Sequence, residues 1–241
     1  MFKRLTGIIA CLACASAIAG GPLLLEGPNG NVPATYQDPN IVFNIETGDL
    51  GRFTNPVADL MVVEALSLWN TVTTSTITLN KGADVVDSSG VGVDIDETNF
   101  TLYIPDPFNA TIHNDEDGLN PIVYDDEGRI IDAYFGIGQG TGRDATVVGF
   151  AASSIIIGSS FFTEGFAVIN GNSFLNIQRN QLKLIIAHEI GHLLGLDHSQ
   201  ANIDNTESFF ESCPSALDDY PLMYPYACRI NDLTHPDDEV S

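Results

Sequence analysis

The most regular hydrophobic pattern of the chain lies in its C-terminal third and predicts an amphipathic helix. Apolar side chains recur there with a helical period, so we predict a helix over residues 182–194 with Asn180 as its N-cap. Gly195 comes next, and a glycine readily adopts the left-handed conformation in which many helices end. The apolar positions that define the helix are Leu184, Ile185, Ile186, Ile190, Leu193 and Leu194.

Shorter apolar runs before this helix predict strands. We expect an earlier helix as well, with Asn55 as its N-cap, Pro56 in the first helical position and an apolar face that includes Trp69. Residues 125–128 predict a tight turn, from which Ile130 and Ile131 would return as the second strand of a hairpin. This mixture predicts an α+β fold. The strands are expected at residues 41–45, 75–79, 101–104, 122–124, 147–151 and 165–169.

The first 19 residues have the features of a secretory signal peptide. Lys3 and Arg4 precede an apolar run over residues 5–18, and residues 17–19 form an A-x-A cleavage signal. No later stretch approaches 18 consecutive apolar residues, so no membrane span is predicted. We therefore expect a secreted protein whose residues 20–241 form a single domain, beginning with an extended leader over residues 20–40.

The charge of the chain is strongly negative. It carries 9 basic and 32 acidic residues, a net charge of −23, and loss of the signal peptide would remove two basic residues and make the charge −25. Such a protein is a poor partner for nucleic acid and for anionic membranes. Much of the acid lies in a predicted insertion at about residues 82–143. Residues 114–118 would suit either bound calcium or a solvated acidic loop, and both alternatives stay open.

Three histidines indicate a metal site. His188 and His192 are four residues apart and share one face of the predicted helix, and the turn at Gly195 can bring His198 back as a third ligand. Three neutral imidazoles suit zinc and leave a fourth position for water. Zinc lowers the pKa of bound water from 15.7 to about 7, and the carboxylate of Glu189 is placed to take the proton.

The string at residues 188–198 resembles the H-E-x-x-H-x-x-G-x-x-H pattern of the metzincin metallopeptidases. Residues 222–226, Leu-Met-Tyr-Pro-Tyr, resemble the methionine turn of the matrixin branch, and Ser199 also matches that branch. Residues 120–128 and 133–136 look like segments of bacterial secreted matrixin-like proteins.

This resemblance implies a zincin-like catalytic domain. It would have a mixed twisted sheet with one antiparallel edge strand, an active-site helix, and a methionine turn that places Met223 beneath the metal. The edge strand would pair with an extended substrate at Val148, Gly149 and Phe150. Matrixins end in a further helix, and residues 234–238 resemble the start of one shortly before Ser241. Either this protein dispenses with that helix or the sequence is incomplete, and we expect a chain ending at Ser241 to be only marginally stable.

Two cysteines remain after removal of the signal peptide. Cys213 and Cys228 form an even pair in an exported protein and bracket Met223, which predicts a disulfide. Closing this loop would contribute about 3 kcal/mol in the chain-entropy model.

Two functions are compatible with these features. The first is a secreted zinc endopeptidase, expected to be a monomer, that acts on protein or peptide substrates with Glu189 as general base. The alternative is a non-catalytic extracellular binding protein on the same scaffold, with or without bound calcium. The intact Glu189 favours the enzyme, because a binding scaffold has no need of that carboxylate.

Overall fold

A computed structural model describes residues 21–26, 30–104, 118–155, 159–198 and 222–223. Eight strands and three α-helices lie in these ranges. In chain order they are β1 (Leu25–Glu26), β2 (Val32–Pro33), β3 (Thr35–Tyr36), β4 (Asn40–Ile45), α1 (Asn55–Asn70), β5 (Thr78–Lys81), β6 (Pro121–Asp125), α2 (Arg129–Phe135), β7 (Gly149–Ile155), β8 (Phe161–Asn170) and α3 (Arg179–Leu193).

A mixed six-stranded sheet forms the centre of the domain. Strands β5, β4, β6 and β8 pair in that order and are all parallel, and β3 pairs in parallel with the start of β8. Strand β7 pairs with β8 in the antiparallel direction. The α+β fold and the mostly parallel sheet with one antiparallel edge strand are therefore confirmed.

Helices cover both faces of this sheet. Successive residues of a strand point to opposite faces, so the buried strands present apolar side chains on both sides. Ile122 and Ile169 belong to one buried cluster with α1 and α3, whereas Val123 and Val168 belong to a second cluster with α2. The apolar periods of α1 and α3 thus bury their inner faces on the same side of the sheet. The indole nitrogen of Trp69 in α1 donates to the carbonyl of Ala187 in α3 at 2.9 Å and joins the two helices.

Both predicted N-caps are wrong by one or two residues. Helix α1 begins at Asn55 after Thr54, and the Asn55 side chain instead donates to the carbonyls of Glu46 and Gly48. Helix α3 begins at Arg179, with Gln178 and Gln181 as a reciprocal capping box. In both cases, another side chain or backbone group satisfies the polar atoms that an asparagine cap would have satisfied.

The predicted hairpin after residue 125 is also wrong. Ile130 and Ile131 lie in α2, and β6 runs parallel to both of its neighbours. The Asp125 carboxylate accepts a hydrogen bond from the amide of Ile131 at 2.8 Å, so it satisfies a donor at the start of the helix. The two apolar runs around residues 122–124 and 130–131 therefore do not pair with each other: the first is a strand, and the second lies in the helix that follows the turn.

The remaining strand predictions differ in their bounds or fail. The strand predicted at 101–104 is a 3-10 turn over Phe100–Leu102. The strand predicted at 75–79 corresponds to β5, which begins three residues later, and β7 and β8 are longer than the strands predicted at 147–151 and 165–169. The predicted leader contains the short strands β1, β2 and β3, and the predicted acidic insertion contains β6, which is a central strand.

No helix in the described ranges is long and apolar enough to cross a membrane. Residues 1–19, with the predicted signal peptide, and residues 224–241, with the predicted C-terminal helix start, lie outside those ranges.

Candidate metal centre and active site

Helix α3 and the turn after it bring three imidazoles together. His188 and His192 lie one turn apart on α3, and their Nε2 atoms are 3.1 Å apart. Gly195 has a φ of +91°, and a Cβ there would lie 2.9 Å from Cε2 of Phe162 and 3.0 Å from the carbonyl oxygen of Ala34. Only glycine fits this turn. The chain beyond it places Nε2 of His198 3.2 Å from Nε2 of His192.

Backbone carbonyls fix the orientation of two of these rings. Nδ1 of His188 lies 2.8 Å from the carbonyl oxygen of Leu222, and Nδ1 of His192 lies 2.8 Å from that of Leu196. A carbonyl oxygen only accepts, so both Nδ1 atoms carry the proton and both Nε2 atoms present lone pairs. Metal-binding histidines are oriented in this way.

The facing lone pairs fit a cation. Two unprotonated Nε2 atoms at 3.1 Å do not hydrogen-bond to each other, and they repel unless a positive charge lies between them. Burial, followed by the neighbouring His192, lowers the pKa of His188 to about 3, and burial also lowers the pKa of His192. Both shifts favour the neutral rings that the hydrogen bonds at Nδ1 already indicate. Tetrahedral zinc with 2.0–2.1 Å bonds to nitrogen sets its ligand atoms about 3.3 Å apart, so the observed spacing suits zinc.

Glu189 lies beside the first of these histidines and is deeply buried. The residue is 4% exposed, and Oε2 has no hydrogen-bond partner among the described residues. Burial raises the pKa of Glu189 to about 8. The edge strand lies against this carboxylate, since a Cβ on Gly149 would be 2.9 Å from Glu189 Oε1. A buried, unpaired carboxylate next to a metal site is the arrangement expected of a general base.

The sequence model of the matrixin family matches residues 92–213, just over half of the chain. The chain belongs to the matrixin family. The matched range contains β6, β7, β8, α3 and all three histidines, and the family as a whole consists of zinc metallopeptidases. The resemblance seen in the sequence is confirmed, and so are the general class of metallopeptidase and the implied zinc binding. No curated protein matches the chain.

In this matrixin, the predicted methionine lies directly beneath the active-site helix. Met223 is fully buried, and a Cβ on Gly191 would lie 2.3 Å from its sulfur and 2.9 Å from Cζ2 of Trp69. Gly191 stands between the two helical histidines, so the methionine and the indole close the lower side of the same helical turn. A glycine in the middle of a predicted helix was the sequence signal for this close contact.

The three predicted substrate-binding residues have different environments. Val148 packs partly against the main core and its carbonyl accepts from the amide of Asn170, whereas Gly149 lies so close to Glu189 that a Cβ would not fit between them. Phe150 points to the opposite face and lies in an aromatic group with Tyr134, Phe135 and Phe166. Strand β7 uses one edge to pair with β8 and, within the described part of the chain, pairs with no second strand.

The other predicted sites lie outside the described residues. These are Ser199, Cys213, Cys228 and residues 114–117 of the calcium hypothesis. Among the residues that the structure describes, the histidine triad is the only cluster of three or more histidine, cysteine, aspartate or glutamate side chains able to hold a metal ion. Calcium thus gains no support, and the disulfide stays a prediction.

Sequence reasoning missed the positioning role of three groups at this site. The carbonyls of Leu196 and Leu222 orient the rings, and Gly149 leaves room for Glu189. The carbonyls had no sequence signal because every residue carries one.

Replacement of Gly149 by alanine is expected to lower kcat/KM for peptide hydrolysis by about 10–100-fold while zinc stays bound. The added methyl would overlap Glu189 Oε1, and even a 1 Å misplacement of a catalytic group is costly. Peptide hydrolysis and zinc content are measured on the same sample. Equal turnover in variant and wild type would contradict the contact between β7 and Glu189.

Proposed function

We propose that this matrixin is a secreted zinc endopeptidase with Glu189 as its general base. The observation that carries the proposal is the buried carboxylate of Glu189, whose Oε2 has no partner in the described part of the chain, beside three histidines whose Nε2 atoms converge. His188, His192 and His198 would hold the zinc. When bound, zinc supplies a Lewis acid that acidifies water and polarises the scissile carbonyl.

Glu189 first accepts and then donates a proton in the proposed reaction. Its carboxylate takes a proton from the attacking water as the water oxygen forms a bond to the carbonyl carbon. The same carboxyl group then delivers this proton to the amide nitrogen as the C–N bond breaks, so that an acid and an amine leave. The burial of Glu189 favours these transfers, because bulk solvent does not compete with the attacking water for its oxygens.

Strand β7 supplies a surface for an extended protein or peptide substrate. Its second edge can pair with a peptide backbone, which gives affinity without demanding particular side chains. Because Gly149 in β7 leaves no room for a Cβ beside Glu189, a peptide paired along this edge would lie close to the proposed base. Val148, Gly149 and Phe150 are therefore our candidates for substrate contact.

The alternative of a non-catalytic binding protein does not account for Glu189. A buried polar group without a partner costs about 1–3 kcal/mol, and more if it is charged. A scaffold that does not catalyse would gain stability by replacing it. Retention of the carboxylate in this position therefore supports a chemical role.

Export and the Cys213–Cys228 disulfide complete the proposal. Both rest on the sequence: the charged start, apolar run and A-x-A signal of residues 1–19, and an even cysteine pair in the remaining chain. Placement of Met223 beneath α3 supports its role as the floor of the metal site.

The protein is expected to contain one zinc per chain and to hydrolyse casein. The test measures metal content and casein cleavage with 1,10-phenanthroline, and with its non-chelating 1,7 isomer as the control. Loss of cleavage with the chelator alone, and recovery on adding zinc, would support the proposal. A zinc-loaded protein that cleaves neither casein nor a peptide library would contradict it and favour the binding protein.

A further inference from the structure

A segment from the start of the described sequence pairs with the loop that leads from α3 to His198. Residues 21–23, which we name the N-terminal strap, run antiparallel to residues 195–197, which we name the ligand loop. Pro22 and Leu196 form an isolated β-bridge. The amide of Leu23 donates to the carbonyl of Gly195 at 2.7 Å, and the amide of Asp197 donates to the carbonyl of Gly21 at 2.7 Å.

These two hydrogen bonds flank the residue that orients a predicted zinc ligand. The carbonyl of Leu196 lies 2.8 Å from Nδ1 of His192 and so fixes that ring. The strap bonds to the residue before Leu196 and to the residue after it. Rotation of the Leu196 peptide group would break at least one of these bonds.

The third histidine depends on the same loop. His198 follows directly, and its amide donates to the Asp197 carboxylate at 2.7 Å. Both Asp197 and His198 are exposed. Two backbone hydrogen bonds join the ligand loop to α3 in the described structure: the amide of Gly195 donates to the carbonyl of His192, and the amide of Leu196 donates to the carbonyl of Gly191. Neither of them involves Asp197. The strap therefore supplies a bond at the residue next to the ligand.

The strap is itself tied to the sheet. The amide of Ala34 donates to the carbonyl of Leu24 at 3.0 Å, and Thr35 and Tyr36 in β3 pair in parallel with the start of β8. A continuous series of backbone contacts thus runs from the central sheet through the strap to the ligand loop. Such a connection restricts the loop before a metal ion arrives.

We propose that the N-terminal strap positions the ligand loop and thereby raises the affinity of the triad for zinc. This inference rests on the proposed zinc site. Ordering an exposed loop upon binding costs conformational entropy, and a loop that is already ordered avoids that cost. Groups that orient metal ligands from outside typically change metal affinity by 10–100-fold, and the strap acts on two ligands through Leu196 and Asp197.

The test compares Leu23→Pro with Leu23→Ala in the full chain. Proline removes the amide that donates to Gly195, whereas alanine keeps it. The Leu23 residue is 42% exposed, so its truncation to alanine removes little packing. Zinc affinity is measured by competition with a chromogenic chelator, and circular dichroism of the metal-free protein checks the fold. We expect about 10-fold weaker binding for Leu23→Pro and wild-type binding for Leu23→Ala.

A variant lacking residues 21–23 provides a second measurement that does not depend on proline. It should also bind zinc about 10-fold more weakly while keeping the α-helical and β signal. Wild-type zinc affinity in both folded variants would overturn the proposal. Loss of the fold in both would overturn it as well, since the strap would then serve the domain and not the loop. A wild-type protein that binds no zinc at all would instead refute the proposed function on which the inference depends.

Discussion

Replacement of Glu189 by glutamine is expected to lower kcat/KM for peptide hydrolysis by about 10²–10⁴-fold without loss of zinc. Glutamine has nearly the same shape, but its amide cannot take a proton from water. The three histidines and the carbonyls that orient them remain unchanged. Turnover of a fluorogenic peptide and zinc content are measured on the same preparation.

The metal-free stability of this variant gives a second readout. Burial raises the pKa of Glu189 to about 8, which shows that the fold disfavours its charged form. Glutamine removes that charge, so the thermal midpoint should not fall. The matched control is Glu97→Gln, because Glu97 is a partly exposed glutamate that pairs with Arg129 at the surface and should leave turnover unchanged. Near-wild-type turnover in the Glu189 variant would remove this residue from the role of base.

Replacement of His192 by alanine is expected to weaken zinc binding by more than about 100-fold, beyond the range typical of groups that only orient a ligand. Nε2 of His192 lies 3.1 Å from that of His188 and 3.2 Å from that of His198, so its loss leaves two ligands without their shared neighbour. Peptide hydrolysis should become undetectable. Zinc content after dialysis and the dissociation constant from chelator competition are the measurements.

A second histidine variant controls for the substitution itself. His113 lies outside the H-E-x-x-H-x-x-G-x-x-H string, and His113→Ala should keep both zinc and activity. Equal zinc affinity in the His192 and His113 variants would show that the triad is not the metal site. The fold of each variant is checked by circular dichroism, because replacing His192 by alanine also removes its ring contacts with His188 and His198.

The local parts of the fold could be predicted from the sequence. The period of apolar residues around His188 and His192 defined α3 to within three residues at its start and one at its end. Gly195 ended the helix as expected, with a positive φ. These features depend on residues within two helical turns of each other, where side-chain spacing and backbone conformation leave few choices.

Elements whose identity depends on distant partners were less predictable. Ile130 and Ile131 would suit a hairpin strand or a helix, and the helix forms because β6 pairs with β4 and β8 and leaves no partner for a hairpin. Short apolar runs carry this ambiguity, since burial accommodates either structure.

The sequence by itself predicted the residues of the candidate site: three histidines and one glutamate at the spacing of the metzincin pattern, followed by a methionine. Only the tertiary structure decided how they are held. The carbonyls of Leu222 and Leu196 orient two rings, Gly149 makes room for Glu189, and residues 21–23 hydrogen-bond to the loop before His198. These contacts join backbone groups or glycines, which leave little side-chain pattern, and most of them lie far apart in the chain, so they exist only once the sheet and α3 have packed together.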